Sequence, residues 1–341
     1  MHQRGVSLKT SAGRKSVRGS VSAACRKVKN VLRKPITRYD NRQTMADTSI
    51  LVGTAGWSYP DWENIVYAAG RVPERLRTIA RYLDCVEIDS SFYHPPTART
   101  TEAWVRALNQ QPEFHFLAKA WQRFTHERSS LWTKAERDLF TNGLQPLREA
   151  ARLDGVLFQF PWSFRNDARN RDWLRAIADA FADWPLAVEV RHDSWLVDET
   201  FEFFRERRIA FCNIDQPRLA HCIPLTSQTT AEFGYFRFHG RNSRNWFREK
   251  QDAYGGRYDY LYSPVELDEL LTHIATATTR TKKTFVVFNN HKDAKAFSNA
   301  LQLKARLAPA TAVRAPATLR ERYPALRACT VPDGDEQLPL V

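Results

Sequence analysis

Three acids (Glu87, Glu189, Asp215), three cations (Lys119, Arg191, Arg237) and two histidines (His192, His239) sit at or just past the ends of short apolar runs. A carboxylate beside an imidazole can shuttle protons, so Glu87 or Glu189 with His239 or His192 reads as a general acid–base pair. Arg191 and Arg237 are suited to gripping a phosphate or carboxylate by two parallel hydrogen bonds. Asp89, Glu189, Asp215 and His239 form a mixed oxygen–nitrogen set that suits a divalent metal, although no HxH or HExxH spacing supports one. Gln159, Asn289 and Asn290 lie at equivalent run ends and read as polar substrate contacts, as does His126 in a following loop.

Eight such runs recur: 50–56, 85–91, 114–120, 156–160, 186–192, 209–215, 234–240 and 284–290. Helix-like amphipathic stretches fill most of the gaps, at 73–83, 97–109, 133–152, 168–183, 197–207, 263–279 and 292–307. Alternation of this kind predicts an α/β fold with a parallel sheet, and eight units match a (β/α)8 barrel. The gap 216–233, with two prolines and a Thr/Ser/Gln cluster, predicts a loop. Barrel strands alternate between lumen and helix layer. Glu87 and Asp89 share one parity, as do His115 and Lys119, Glu189 and Arg191, Asn213 and Asp215, and Arg237 and His239. The expected result is a set of charges on the lumen side of five strands, converging on the mouth formed by the strands' carboxyl ends. Such charges must pair or neutralise when buried.

Aromatic residues follow nearly every run: Trp57, Tyr59, Phe92, Tyr93, Trp121, Phe124, Trp162, Phe164, Trp195 and Trp246. They either cap the barrel core or rim the mouth, where rings stack on sugars or bases. Trp57, Phe92, Tyr93, Trp121 and Trp195 are the candidates for substrate contact.

The net charge of +13 is concentrated in residues 1–48, which hold twelve Lys/Arg against two Asp/Glu and leave about +3 for the remainder. This lead is too poor in large apolar residues for a core and reads as disordered. The only methionines are Met1 and Met45, and Met45 is the expected translation start. A transit peptide or nucleic-acid-binding arm are the other readings of the lead. The domain spans 49–307, and 308–341, rich in Ala and Pro, reads as a poorly ordered tail with one short helix near 318–328. No run reaches the ~18 apolar residues of a membrane span. Five cysteines without a CxxC pair fit a reducing cytoplasm. No GxGxxG, GxxxxGK[ST] or GxSxG motif is present, so no organic cofactor is evident.

The blocks GTAGWSYPDW (53–62), VEIDSSFYHPP (86–96), LFQFP (157–161), AVEVRHDSW (187–195), YFRFHG (235–240) and VVFNN (286–290), in this order, resemble the YecE-like family, the domain of unknown function 72. The resemblance implies a TIM-like barrel of unsettled activity, loosely grouped with sugar-isomerase-like barrels. It places family motif positions on Glu87, Lys119, His126, Gln159, Glu189, Arg191, His192, Asp215, Arg237, His239, Asn289 and Asn290. Asp89 stands where the family more often has asparagine.

The expected function is isomerase- or lyase-type acid–base chemistry on a sugar or sugar-phosphate-like molecule. One alternative is a nucleic-acid-acting or nucleic-acid-binding barrel whose 241–262 segment (Arg241, Arg244, Arg248, Lys250, Arg257) touches phosphates. The other is a non-catalytic small-molecule binder. Oligomeric state is not legible in the sequence.

Overall fold

The computed structural model describes residues 49–246 and 256–334. The basic lead, Met45 included, and the Arg248–Lys250 part of the expected phosphate-contacting segment lie outside the described residues. Eight parallel strands close into one barrel in sequence order: β1 (Ser49–Ala55), β2 (Cys85–Ile88), β3 (His115–Lys119), β4 (Leu153–Gln159), β5 (Leu186–Glu189), β6 (Ala210–Asp215), β7 (Phe233–Phe238) and β8 (Lys283–Phe288). Pairing of β1 with β8 over six residues completes the closure.

The helices are α1 (Val72–Ala80), α2 (Ala98–Ala107), α3 (Gln122–Thr125), α4 (Lys134–Glu149), α5 (Ala168–Ala180), α6 (Asp198–Glu206), α7 (Pro264–Thr278), α8 (Lys295–Leu307) and α9 (Ala317–Arg322). Their starts follow local chemistry. Ser263 accepts from the Glu266 amide while Glu266 returns to the Ser263 amide, with Pro264 opening α7,. Thr133 and Glu136 form the same reciprocal cap on α4. Between strands and helices the core is strongly aromatic: Phe158 of β4 meets Phe124 and Phe181, and Phe124 also meets Phe140. Such tilted and edge-on contacts add to the burial of large rings.

As predicted, no helix fills the gap after β6. That absence corrects the parity argument at one strand. Asn213 and Asp215 do share a face, but it is the outer one. The Asn213 side chain accepts from the Gln228 amide and the Thr226 hydroxyl and donates to the Gln228 carbonyl. An irregular segment has backbone groups that need partners, so a polar residue replaces the apolar one a helix would require.

Residues 308–334 hold the short helix expected near 318–328 but are docked rather than loose. Short strands β9 (Arg314–Ala315) and β10 (Val331–Pro332) pair, and α9 lies between them in sequence. Val313, Ala315, Leu319, Tyr323 and Leu326 are buried. Thr318 donates to the Ile65 carbonyl and Tyr82 to Asp333. A few well-spaced apolar residues were enough to dock a segment whose composition suggested a loose tail. Among the described residues no helix is long and apolar enough to cross a membrane, and Cys85, Cys212, Cys222 and Cys329 are unpaired.

Candidate active site

The lumen of the upper barrel is filled by ions. Arg237 donates from Nε and Nη2 to the two oxygens of Glu87, at 2.8 and 2.7 Å, and from Nη1 to Glu189 at 2.6 Å. Tyr235, two residues before Arg237 on β7, donates its hydroxyl to Glu87 at 2.6 Å. The other Glu189 oxygen accepts from Arg191 Nε at 2.8 Å and lies 3.1 Å from His239 Nε2. Asn289 approaches His239 Nδ1 at 2.9 Å. These contacts fit a neutral ring with its proton on Nε2. Glu87, Glu189, Arg237 and His239 are fully buried.

Burial pushes Glu189 up, yet the guanidiniums of Arg237 and Arg191 and the His239 contact hold it well below the usual carboxylate range. Burial, reinforced by Arg191 and Arg237, drives His239 down to about 3 despite Glu189 beside it. With His239 neutral, the two arginines keep Glu189 ionised. This arrangement corrects the expected role of Glu87. Both its oxygens are committed to Arg237 and Tyr235 beneath the mouth, so it positions Arg237 rather than taking a proton. Glu189, a weak base with both oxygens engaged, does the same for Arg237 and Arg191.

The mouth lies above this layer. Lys119 pairs with Asp89 at 3.0 Å and sits over the Phe92 ring at 4.3 Å. Burial acts to raise Asp89, but Lys119 and Arg237 outweigh it and lower its pKa. His126, at the end of α3, meets the edge of Phe92 at 4.9 Å. Burial and the charges of Lys119, Arg191 and Arg128 push His126 down to about 4, an effect that solvent screening blunts because the residue is exposed,. The Trp246 ring lies 5.5 Å from the Arg191 guanidinium and 5.9 Å from the His239 ring. Gln159, in register with Glu189, is buried and donates to the Phe160 carbonyl.

Three groups were missed by sequence reasoning. Tyr258, from the long insertion after β7, lies 6.2 Å from His239 and 5.4 Å from His291, ring to ring. Burial would raise its phenol, but Arg191, Lys119, Arg257 and Arg237 together bring it below its ordinary value. His291 stacks on Tyr59 at 4.5 Å. The length of the insertion was the only sequence signal for Tyr258. Tyr235 could have been found from its shared parity with Arg237.

Other expected site residues lie elsewhere. Asp215 pairs with Arg241 and accepts from Tyr262, while Arg241 continues to Glu266 and Glu269 of α7. Burial raises the Asp215 pKa, partly offset by these partners. Asn290 donates to the Tyr260 carbonyl and to Asn299 of α8, so it anchors a loop rather than a ligand. His192 has the outward parity of β5, opposite to Arg191, and faces Ser194 and the parallel ring of His221. The metal set expected from Asp89, Glu189, Asp215 and His239 does not converge: Asp89 belongs to Lys119, Asp215 to Arg241, and Glu189 is occupied by two arginines.

The aromatic set divides. Trp195 is buried against Phe164 and donates to its carbonyl, which makes it a core residue. Trp121 is half-buried on Phe124. Trp57 packs edge-on against Trp104, and with Tyr59, Asp89 and the exposed Tyr93 it lines a cavity of about 800 Å³ beside the mouth. Phe92 and Trp246 are the rings that touch the mouth cations.

Known proteins bear on this architecture. The family model described as "Protein of unknown function DUF72" matches residues 51–322. The UPF0759 protein YunF of Bacillus subtilis (strain 168) is 30% identical over 271 residues, covering 74% of this chain and 93% of that protein. The crystal structure of a DUF72 family protein from Thermotoga maritima MSB8 is similar with a TM-score of 0.68 and 35% identity, over 76% of this chain and 99% of that one. A DUF72 family protein from Enterococcus faecalis V583 gives 0.64 and 25%, over 76% and 97%. The buried ion layer and the mouth above it therefore stand in a TIM-like barrel that belongs to the DUF72 family.

Proposed function

We propose that the chain is an enzyme that binds a small anionic, hydroxyl-bearing molecule of the sugar or sugar-phosphate class at the barrel mouth and moves a proton on it, as an isomerase or lyase does. One observation carries this reading. The deep ions satisfy one another, whereas the mouth keeps polar capacity in reserve. Among the described residues, no protein group accepts from the terminal nitrogens of Arg191 or bonds the Tyr258 hydroxyl. Buried or half-buried donors of this kind are normally matched by protein, water or ligand.

Arg191, aided by Lys119, grips the anion. Tyr258, with a phenol eased towards ionisation by four cations, and His126, neutral at pH 7, are the proton-transfer groups. Glu87, Glu189 and Arg237 hold Arg191 in place from below, as a supporting layer must if the mouth is to keep its geometry. The nucleic-acid alternative loses Arg241, which is spent on Asp215, Glu266 and Glu269.

The test pairs aldose and ketose phosphates with the corresponding free sugars. Binding is followed by calorimetry, and exchange of carbon-bound protons in D2O by NMR. Phosphates should bind, at least one should exchange, and Arg191→Gln should abolish binding. Equal binding of neutral sugars, or no binding by any phosphate, rejects the reading. Tight binding without exchange assigns the chain to the non-catalytic class.

A further inference from the structure

We propose that His192, Asp193 and His221 form a divalent-metal site on the active face of the barrel, taking a borderline transition ion of the Zn2+ class. The site is separate from the ion layer and is built at the carboxyl end of β5, where the loop after β6 folds back over it.

The donor atoms converge. One from each residue lies within 4.8 Å of the others. Nδ1 of His192 is 3.2 Å from one Asp193 oxygen, and Nδ1 of His221 is 3.2 Å from the other. Ligand atoms bound tetrahedrally at about 2.0–2.1 Å must stand roughly 3.3 Å apart. Two imidazoles with one carboxylate suit this ion class and leave a coordination position for water or a substrate oxygen. The trio carries one negative charge when both rings are neutral, which favours a dication.

The scaffold is preorganised. His192 and Cys222 form an antiparallel bridge. The Asp193 amide donates to the His221 carbonyl at 3.1 Å, and the Ile223 amide to the Arg191 carbonyl at 3.0 Å. Trp162 donates to the same His221 carbonyl and lays its ring 5.2 Å from that of His192. Ser194 Oγ lies 2.9 Å from His192 Nδ1. The Ser194 amide donates to the same Nδ1 at 3.2 Å, so this nitrogen carries the ring's lone pair and faces Asp193, and an ion there would replace that contact. His221 is held at φ +58°, a left-handed conformation uncommon outside glycine,.

The alternative is a hydrogen-bonded trio with no ion, and one experiment separates the two. Full-length protein stripped with chelator is titrated with Zn2+ by calorimetry, and its melting temperature is read with and without Zn2+. The wild type should take up one equivalent at this site and melt higher with Zn2+. His221→Ala and Asp193→Asn should weaken uptake at least about tenfold and lose the Zn2+-dependent rise. His94→Ala, a control for stray surface binding, should behave as wild type. His221 is largely exposed (65% of the side chain), so its variant should fold, and its melt without Zn2+ verifies that. No wild-type uptake at about 1 mM Zn2+, an affinity too weak for a built site, overturns the proposal. So does uptake that is equal in wild type and both variants.

Discussion

Arg237 reaches across the barrel from β7 to close a two-pronged pair with Glu87 on β2, and neither side chain is touched by solvent. The third guanidinium nitrogen takes Glu189, so one cation ties three strands together and bridges two acids at the level where the lumen would otherwise be apolar. Arg191 returns the second positive charge that this arrangement needs.

Removing the central cation should therefore be severe. Arg237→Met leaves two buried carboxylates with too little positive charge, and a broken buried pair costs about 3–5 kcal/mol. Urea unfolding should show a loss of that size, and Glu87→Gln should also destabilise. Wild-type stability in both variants would mean the layer does not hold the barrel together.

Acid should destabilise the protein through His239. Its folded pKa of about 3 lies below the ordinary histidine value. The unfolded chain therefore binds a proton that the folded chain refuses. Stability is complete above about pH 6.5 and declines as pH falls towards the folded value, by up to about 1.4 kcal/mol per pH unit for one such group. Glu189, whose folded pKa is depressed, adds its own loss only at lower pH, below its unfolded value. Unfolding free energies at pH 7, 6 and 5 should show this slope, and His239→Gln should reduce it by the share of one proton. An unchanged slope would assign the acid sensitivity elsewhere.

Tyr258 should ionise before the tyrosines that burial raises. Tyr59, Tyr67, Tyr93, Tyr235, Tyr260, Tyr262 and Tyr323 are all raised by burial, whereas Tyr258 is lowered by the cations around it. A spectrophotometric titration should reveal tyrosinate below pH 10, and Tyr258→Phe should remove that early step. Identical curves would refute the placement of this phenol among Arg191, Lys119 and Arg257.

At the opposite end of the barrel, Asp154 binds His115 and Lys283. Burial works against its ionisation, but these two partners lower its pKa. Asp154→Asn should cost about 1–2 kcal/mol without altering anion binding, because the amino-terminal face of such a barrel serves stability. A variant that lost ligand affinity while keeping full stability would contradict this division.

The sequence by itself determined the barrel and its contents. Period-two alternation around Glu87, Glu189 and Arg237 assigned those charges to the lumen, because a helix layer outside them tolerates only apolar residues. Caps such as Ser263–Glu266 marked helix starts because their hydrogen bonds span three residues and are local. Only the tertiary structure decided which ions were paired and which were left at the mouth. Glu87 looked like a base until Arg237 and Tyr235, about 150 residues away, were seen to occupy both its oxygens. Asp215 pointed outward because no helix followed β6. The placement of Tyr258, and of His221 against His192, depended on long loops folding back over strand ends, and no periodicity in a loop records where it lands.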